Sequence, residues 1–299
     1  MDIEKLLSTA DAFFRTVHLV EDHFDLEPQK QHLATFINFR DIQQMRADFV
    51  RELVSMLVPY VYSPQKQIEL IEALRGEGRT DASAHRALFV RARKKFRPKH
   101  VQGQLAELIL SILLQHRFRA APLVRKASIT TNPNMERNGA DAIHIAGNPG
   151  KYLLYIGEAK TYNRVSGSLH SALKDAVQDV VHKHYSNYAN ELDLYTFEDF
   201  IPPELEALAR DFLAGKEVDA EVHLVCIVCY NQDHVPVGRS RNDRIKSIID
   251  FLKTETKAIK METVLAGVDA DVIPRLNYII FPIQEMTKLI EEFSEELGG

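Results

Sequence analysis

A chain of 299 residues that is 45% hydrophobic and 26% charged carries enough apolar material for one large domain or two modest ones, without help from disulfides. Its net charge of −5 excludes a broadly basic nucleic-acid-binding surface, so any grip on phosphates has to be local. No apolar run approaches the roughly 20 residues that span a bilayer, and Met1-Asp2-Ile3-Glu4 lacks the basic-then-apolar order of a secretory leader, so a cytoplasmic setting is expected.

The first 95 residues read as a mainly helical region, suited to docking a partner. Residues 18–39 are ambiguous and leave room for short strands. Phe49, Leu53, Met56, Leu57 and Tyr60 then recur at helical spacing, with Pro59 and Pro64 as punctuation. Further helices are expected over 64–74 and 82–95. The stretch Arg91-Ala92-Arg93-Lys94-Lys95-Phe96-Arg97-Pro98-Lys99-His100 concentrates Lys and Arg; it reads as a phosphate contact, against the plainer reading of a solvated helix end. From residue 102 the texture changes. Leu105, Leu108, Ile109, Ile112 and Leu113 form one helical stripe, followed by candidate strands over 122–131, 140–145 and 152–158. Gly147-Asn148-Pro149-Gly150 marks a turn between the last two. An amphipathic helix over 168–187, an acidic helical segment over 191–216, a strand over 222–230, a helix over 239–260, a strand over 277–282 and a closing acidic helix complete the chain. The order is that of an α/β protein with a mixed sheet flanked by helices.

Cys226 and Cys229 sit inside the strand 222–230. Side chains three apart on a strand point to opposite faces, so the pair packs as small hydrophobes rather than as a metal clip. The chemistry lies in Gly139-Ala140-Asp141-Ala142-Ile143 and Leu153-Leu154-Tyr155-Ile156-Gly157-Glu158-Ala159-Lys160. Glu158 and Lys160, two apart on a strand, share a face. If the two strands pair across the turn, Asp141 lies opposite Glu158. Two close carboxylates repel unless a cation joins them, and Mg²⁺ or Mn²⁺ suits oxygen ligands. Such a metal activates water against a phosphodiester, with Lys160 orienting that water. Glu107, an acid among apolar helix residues, is expected to be part-buried and to need a partner.

The order of acidic helix, Asp strand, Glu-x-Lys strand and amphipathic helix resembles the PD-(D/E)XK nuclease superfamily. Asp141, Glu158 and Lys160 match its core motif and Glu107 its first-helix acid; Ala140 stands where the superfamily name has proline. Residues 103–108, 138–144, 157–160 and 172–176 together resemble the HamA family, nuclease subunits of the Hachiman anti-phage system. The resemblance implies a restriction-endonuclease-like domain over 96–299. It further implies metal-dependent cleavage of DNA, with Glu107, Asp141 and Glu158 as metal ligands, and a HamB-like helicase subunit as partner. A catalytically inactive nuclease-fold subunit, acting as a nucleic-acid clamp or helicase-docking module, is the alternative.

Lys174 and Gln178 share a helix face and, with Lys126, Arg93, Lys94 and Lys95, are the candidate substrate contacts. His144 falls on the strand face opposite Asp141 and reads as a core histidine. His182, His184 and Tyr185 lack companions at zinc-ligand spacing. Without a phosphate-binding glycine loop, the chain is not expected to hydrolyse ATP itself.

Overall fold

The computed structural model describes residues 3–96, 101–127, 139–148, 151–164, 168–197, 201, 203–214 and 220–298. Basic residues Arg97 and Lys99, and the turn residues Pro149 and Gly150, lie outside that set. The chain forms two compact units, each assembled from three separate stretches: Met1–Ala10, Val54–Ile156 and Asn187–Val222 in the first, Asp11–Leu53, Gly157–Ser186 and His223–Gly299 in the second.

The fold is mixed α/β, as expected. Its strands are β1 (Val17–Asp22), β2 (His32–Ile37), β3 (Phe39–Arg40), β4 (Gln43–Gln44), β5 (Ala121–Val124), β6 (Ala142–Asn148), β7 (Lys151–Tyr162), β8 (Ala220–Gln232) and β9 (Leu276–Gln284). Among the described residues, seven form one sheet in the order β1-β2-β9-β8-β7-β6-β5, while β3 and β4 make a separate two-stranded ribbon. Two strands thus come from the ambiguous residues 18–39. Strand β5 is four residues long and ends at Val124 (residues 128–131 of the strand expected over 122–131 lie outside the described residues), whereas β7 runs four residues past the expected end and includes Glu158 and Lys160.

In the first unit, helices α3 (Leu57–Val61), α4 (Pro64–Gly76), α5 (Asp81–Arg93) and α6 (Val101–Arg117) precede β5, and α8 (Tyr188–Phe197) and α9 (Pro203–Leu213) come later in the chain. Helix α4 starts where Ser63 accepts a hydrogen bond from Lys66 N and Pro64 fills the first turn. Thr80 does the same for α5, and Ile71, Leu74, Ala84 and Leu88 pack the two helices together. Helix α6 is nearly hydrophobic all round, and that composition belongs to a buried helix. Between Gln104 and Gln115 every residue is buried except Glu107, which is half-buried. Gly147, next to the last residue of β6, has φ +98°, and a Cβ there would run into Lys151 O.

The second unit holds α1 (Asp11–Arg15), α2 (Arg46–Ser55), α7 (Ser168–Asp179), α10 (Arg241–Lys257), α11 (Met261–Val264) and α12 (Met286–Gly298). Strands β8 and β9 pair in parallel from Leu224↔Leu276 to Gln232↔Gln284, and β9 pairs in parallel with β2. Parallel strands covered on both faces read as unbroken apolar runs, and residues 224–230 are all at most 1% exposed. Cys226 and Cys229 are free, buried thiols within that run, and burial raises both thiol pKa values. Helix α2 reaches the sheet through Phe49, whose ring meets Phe281 edge-on at 5.8 Å.

His32, 2% exposed, is locked in one neutral tautomer: Nε2 donates to Pro28 O at 3.0 Å, while Nδ1 accepts from Tyr278 N. Burial is the main cause that brings its pKa down to about 4. A base whose native pKa lies below its unfolded value makes the unfolded chain bind more protons, so stability falls as pH drops from about 6.5 towards 4. The expected loss over that window is roughly 3 kcal/mol. Urea unfolding at pH 7 and pH 4.5 should therefore show a shallower acid slope in His32→Gln than in the wild-type chain. Equal slopes would contradict this account of His32.

Candidate active site

The residues singled out by the sequence fall into two groups, one in each unit. The first is built where α6, β5 and the start of β6 present their polar residues. Asp141 stands one residue before β6. Its approach is shaped by Gly139, whose φ of +107° favours glycine. Lys126 Nζ donates to Gly139 O at 2.9 Å and lies 3.4 Å from Asp141 Oδ1, so the loop and the carboxylate share one ammonium. Glu191, on α8, accepts from Ala140 N at 3.0 Å and fixes the backbone just before Asp141. Glu107 receives the Tyr60 hydroxyl at 3.5 Å, near the long limit for such a bond. Tyr60 is held in turn by Arg125, a 7%-exposed guanidinium that donates to the carbonyls of Pro59 and Tyr60. Tyr60, Arg125, Lys126, Asp141 and His144 line one small cavity. His144 is fully buried and bonds Ala120 O at 3.0 Å; burial above all lowers its pKa to about 3, as befits a neutral core histidine.

The second group is built on β7 and the helical segment after it. Glu158 and Lys160 do share a face: Lys160 Nζ donates to Glu158 Oε1 at 2.6 Å. Lys160 also donates to Asp179 Oδ2 at 2.6 Å, and Lys183 pairs with the other Asp179 oxygen. His184 Nε2 approaches Glu158 Oε2 at 3.0 Å. Glu158 is 5% exposed. Burial pushes its pKa up, but the His184 hydrogen bond and the Lys160 charge outweigh that and hold it below the ordinary value. For Lys160, burial pulls down while the Glu158 charge and the Asp179 hydrogen bond pull up more strongly, so the ammonium is held well above its usual pKa. The lysine and glutamate are thus ionised at neutral pH.

The sequence did not single out Asp179, and His184 stood out only in a histidine cluster without zinc-ligand companions. The helix expected over 168–187 is not uniform: α7 ends at Asp179, Val180–His184 form a π-turn and Tyr185–Asn187 a 3₁₀ turn. No residue type in that stretch signals the change of pitch. Asp179 was the more legible of the two, since Asp179 and Lys183 are i, i+4 partners.

The remaining candidates take ordinary positions. Lys174 is exposed on α7. Gln178 donates to Val264 O at 3.1 Å and Ala266 O at 3.0 Å, tying α7 to the region after α11. Arg93 and Lys95 are half-buried and Lys94 exposed at the end of α5, where Lys94 is the C-cap. Among the described residues, no three His, Cys, Asp or Glu side chains are grouped so as to hold a metal ion. The donor chemistry nevertheless suits a hard divalent cation, because the carboxylates offered are oxygen ligands and Glu158 is kept anionic.

If Gln178 is a structural tie, Gln178→Leu should lower stability by about 1–2 kcal/mol in urea unfolding, by removing two hydrogen bonds to carbonyls. Unchanged stability would instead return its amide to the list of substrate contacts.

Among the described residues, no helix is long and apolar enough to cross a membrane. No match to the chain was found among curated proteins. The family model described as HamA matches residues 11–297, nearly the whole chain, and so covers both groups of candidate residues. The chain belongs to the HamA family.

Proposed function

We propose that this chain is the effector subunit of a cytoplasmic anti-phage defence complex and that it hydrolyses DNA phosphodiester bonds with a divalent cation, Mg²⁺ or Mn²⁺. Family membership supports the defence role, since HamA is the family whose resemblance implies the Hachiman system and a helicase partner of the HamB type. The observation that carries the chemistry is the Glu158–Lys160 pair at 2.6 Å, with a carboxylate that is buried yet kept ionised.

On this proposal Glu107, Asp141 and Glu158 would be the metal's oxygen ligands, and the metal would supply a water of lowered pKa and positive charge for the phosphate. An ammonium has three N–H donors. Lys160 gives two to Glu158 and Asp179; the reading assigns the third to the attacking water, where it also offsets charge developing on the phosphate. Lys126 is a cation beside Asp141. Arg93, Lys94 and Lys95 supply a local grip on the DNA backbone despite the net acidity of the chain. Opposite charges so close to the acids limit their mutual repulsion, which a DNA substrate would otherwise aggravate.

Plasmid DNA incubated with the purified chain, with and without its helicase partner, tests this directly. Cleavage is expected in Mg²⁺ and not in EDTA, and Glu158→Gln or Lys160→Met should lower it by at least about 100-fold. Activity near that of the wild type in either variant would sink the assignment. DNA or partner binding without cleavage under any condition would favour the clamp or docking module. Separately, replacing Arg93, Lys94 and Lys95 together should reduce the slope of log affinity against log salt by about 2–3 units. An unchanged slope would leave those residues as a solvated helix end.

A further inference from the structure

The helical segment after β7 first departs from α geometry at Val180–His184, and that turn faces the Glu158–Lys160 pair. Tyr185 N bonds Val180 O, an i→i+5 closure, alongside a bond to Val181 O. Residues five apart on an α-helix lie about 140° apart around the axis. In a π-turn the wider i→i+5 closure swings them towards a common face, and such turns recur at functional sites. Asp179 and His184 are five apart. A regular helix keeping Asp179 on Lys160 would aim His184 elsewhere; the π-turn allows both to reach β7 at once, at 2.6 Å and 3.0 Å.

The division of labour is specific. Asp179 takes the lysine, and His184 takes the second oxygen of the glutamate, the one Lys160 does not occupy. His184 is itself only 8% exposed. A lysine on a flexible four-carbon stem and a two-oxygen carboxylate are both free to rotate unless something fixes them, and a side chain with one partner still swings about that partner. Two partners on each remove that freedom.

We infer that Asp179 and His184 are positioning residues, set by the π-turn, that hold the Lys160 ammonium and the Glu158 carboxylate in their working orientation. The inference rests on the hydrolytic reading of Glu158 and Lys160, and it adds two residues to that reading that do not themselves touch the phosphate. Outer partners of this kind commonly change activity by about 10–100-fold when removed.

Two measurements separate this inference from the reading beneath it. The first does not need activity: an NMR correlation spectrum of ¹⁵Nζ-lysine-labelled protein, with the Lys160 signal assigned by its loss in Lys160→Arg. A Lys160 ammonium bonded to two carboxylates exchanges its protons slowly and gives a resolved signal. That signal should be lost in Asp179→Asn and partly recovered in Asp179→Glu; a signal unchanged in Asp179→Asn overturns the inference. The second is cleavage at saturating DNA. Asp179→Asn and His184→Leu should slow it about 10–100-fold with DNA affinity altered by no more than about twofold. His184→Gln, which keeps an amide donor, should lose less than His184→Leu. Rates equal to wild type, or loss through DNA affinity alone, overturn the positioning role. If the wild-type chain and Glu158→Gln are equally inert, the hydrolytic reading fails, whereas the ammonium signal still decides whether Asp179 holds Lys160.

Discussion

A carboxylate that is 5% exposed cannot stay charged unless cations and donors surround it, and Glu158 on β7 is such a carboxylate. Lys160, two residues on, is placed beside it by the alternation of a strand. Burial would neutralise both groups if each were alone; together, with Asp179 and His184, they stay ionised. The same arithmetic governs how the site responds to mutation. Removing one member of a buried ion pair commonly destabilises by about 3–5 kcal/mol because the survivor is left uncompensated. Isosteric changes such as Glu158→Gln therefore speak to chemistry more cleanly than truncations.

Much of the first unit can be understood as keeping polar side chains on otherwise apolar elements. Helix α6 is buried from Gln104 to Gln115 apart from one half-buried carboxylate, Glu107. Asp141 sits where β6 is about to begin, its backbone fixed by Glu191 and its loop by Lys126. Arg125 spends donors on the carbonyls of the short helix α3, and so steadies Tyr60, the partner of Glu107. In each unit an acid singled out by the sequence is met by a lysine: Lys126 with Asp141, and Lys160 with Glu158. Anions held this way are attractive to a divalent cation and tolerable without one.

The elements were legible wherever one period dominated the sequence. The apolar runs of β8 and β9, the stripe of α6 and the Glu-x-Lys spacing of β7 all gave the right element and, for Glu158 and Lys160, the right shared face. Legibility failed where geometry depends on non-local partners. Strands β1 and β2 lie in a region with weak alternation and are strands because β2 pairs with β9, some 245 residues away. The π-turn at Val180–His184 has no composition of its own, so His184 read as one of a loose cluster of histidines rather than as the partner of Glu158. Gln178 was placed on the correct helix, but its role as a tie depends on carbonyls at Val264 and Ala266 that no local pattern announces. That Cys226 and Cys229 pack as small hydrophobes rather than as a metal clip followed from strand alternation alone, and both are buried free thiols.

The central claim is the proposed use of a divalent cation, with Glu158 and Asp141 among its ligands. Its most direct test is titration of the chain with Mn²⁺, followed by the electron paramagnetic resonance signal of the free ion. The account predicts saturable binding of one or two ions by the wild-type chain. It also predicts that Glu158→Gln and Asp141→Asn each weaken that binding by more than about tenfold, with the fold intact by circular dichroism. Binding that is absent in the wild type, or equally tight in both variants, would contradict it.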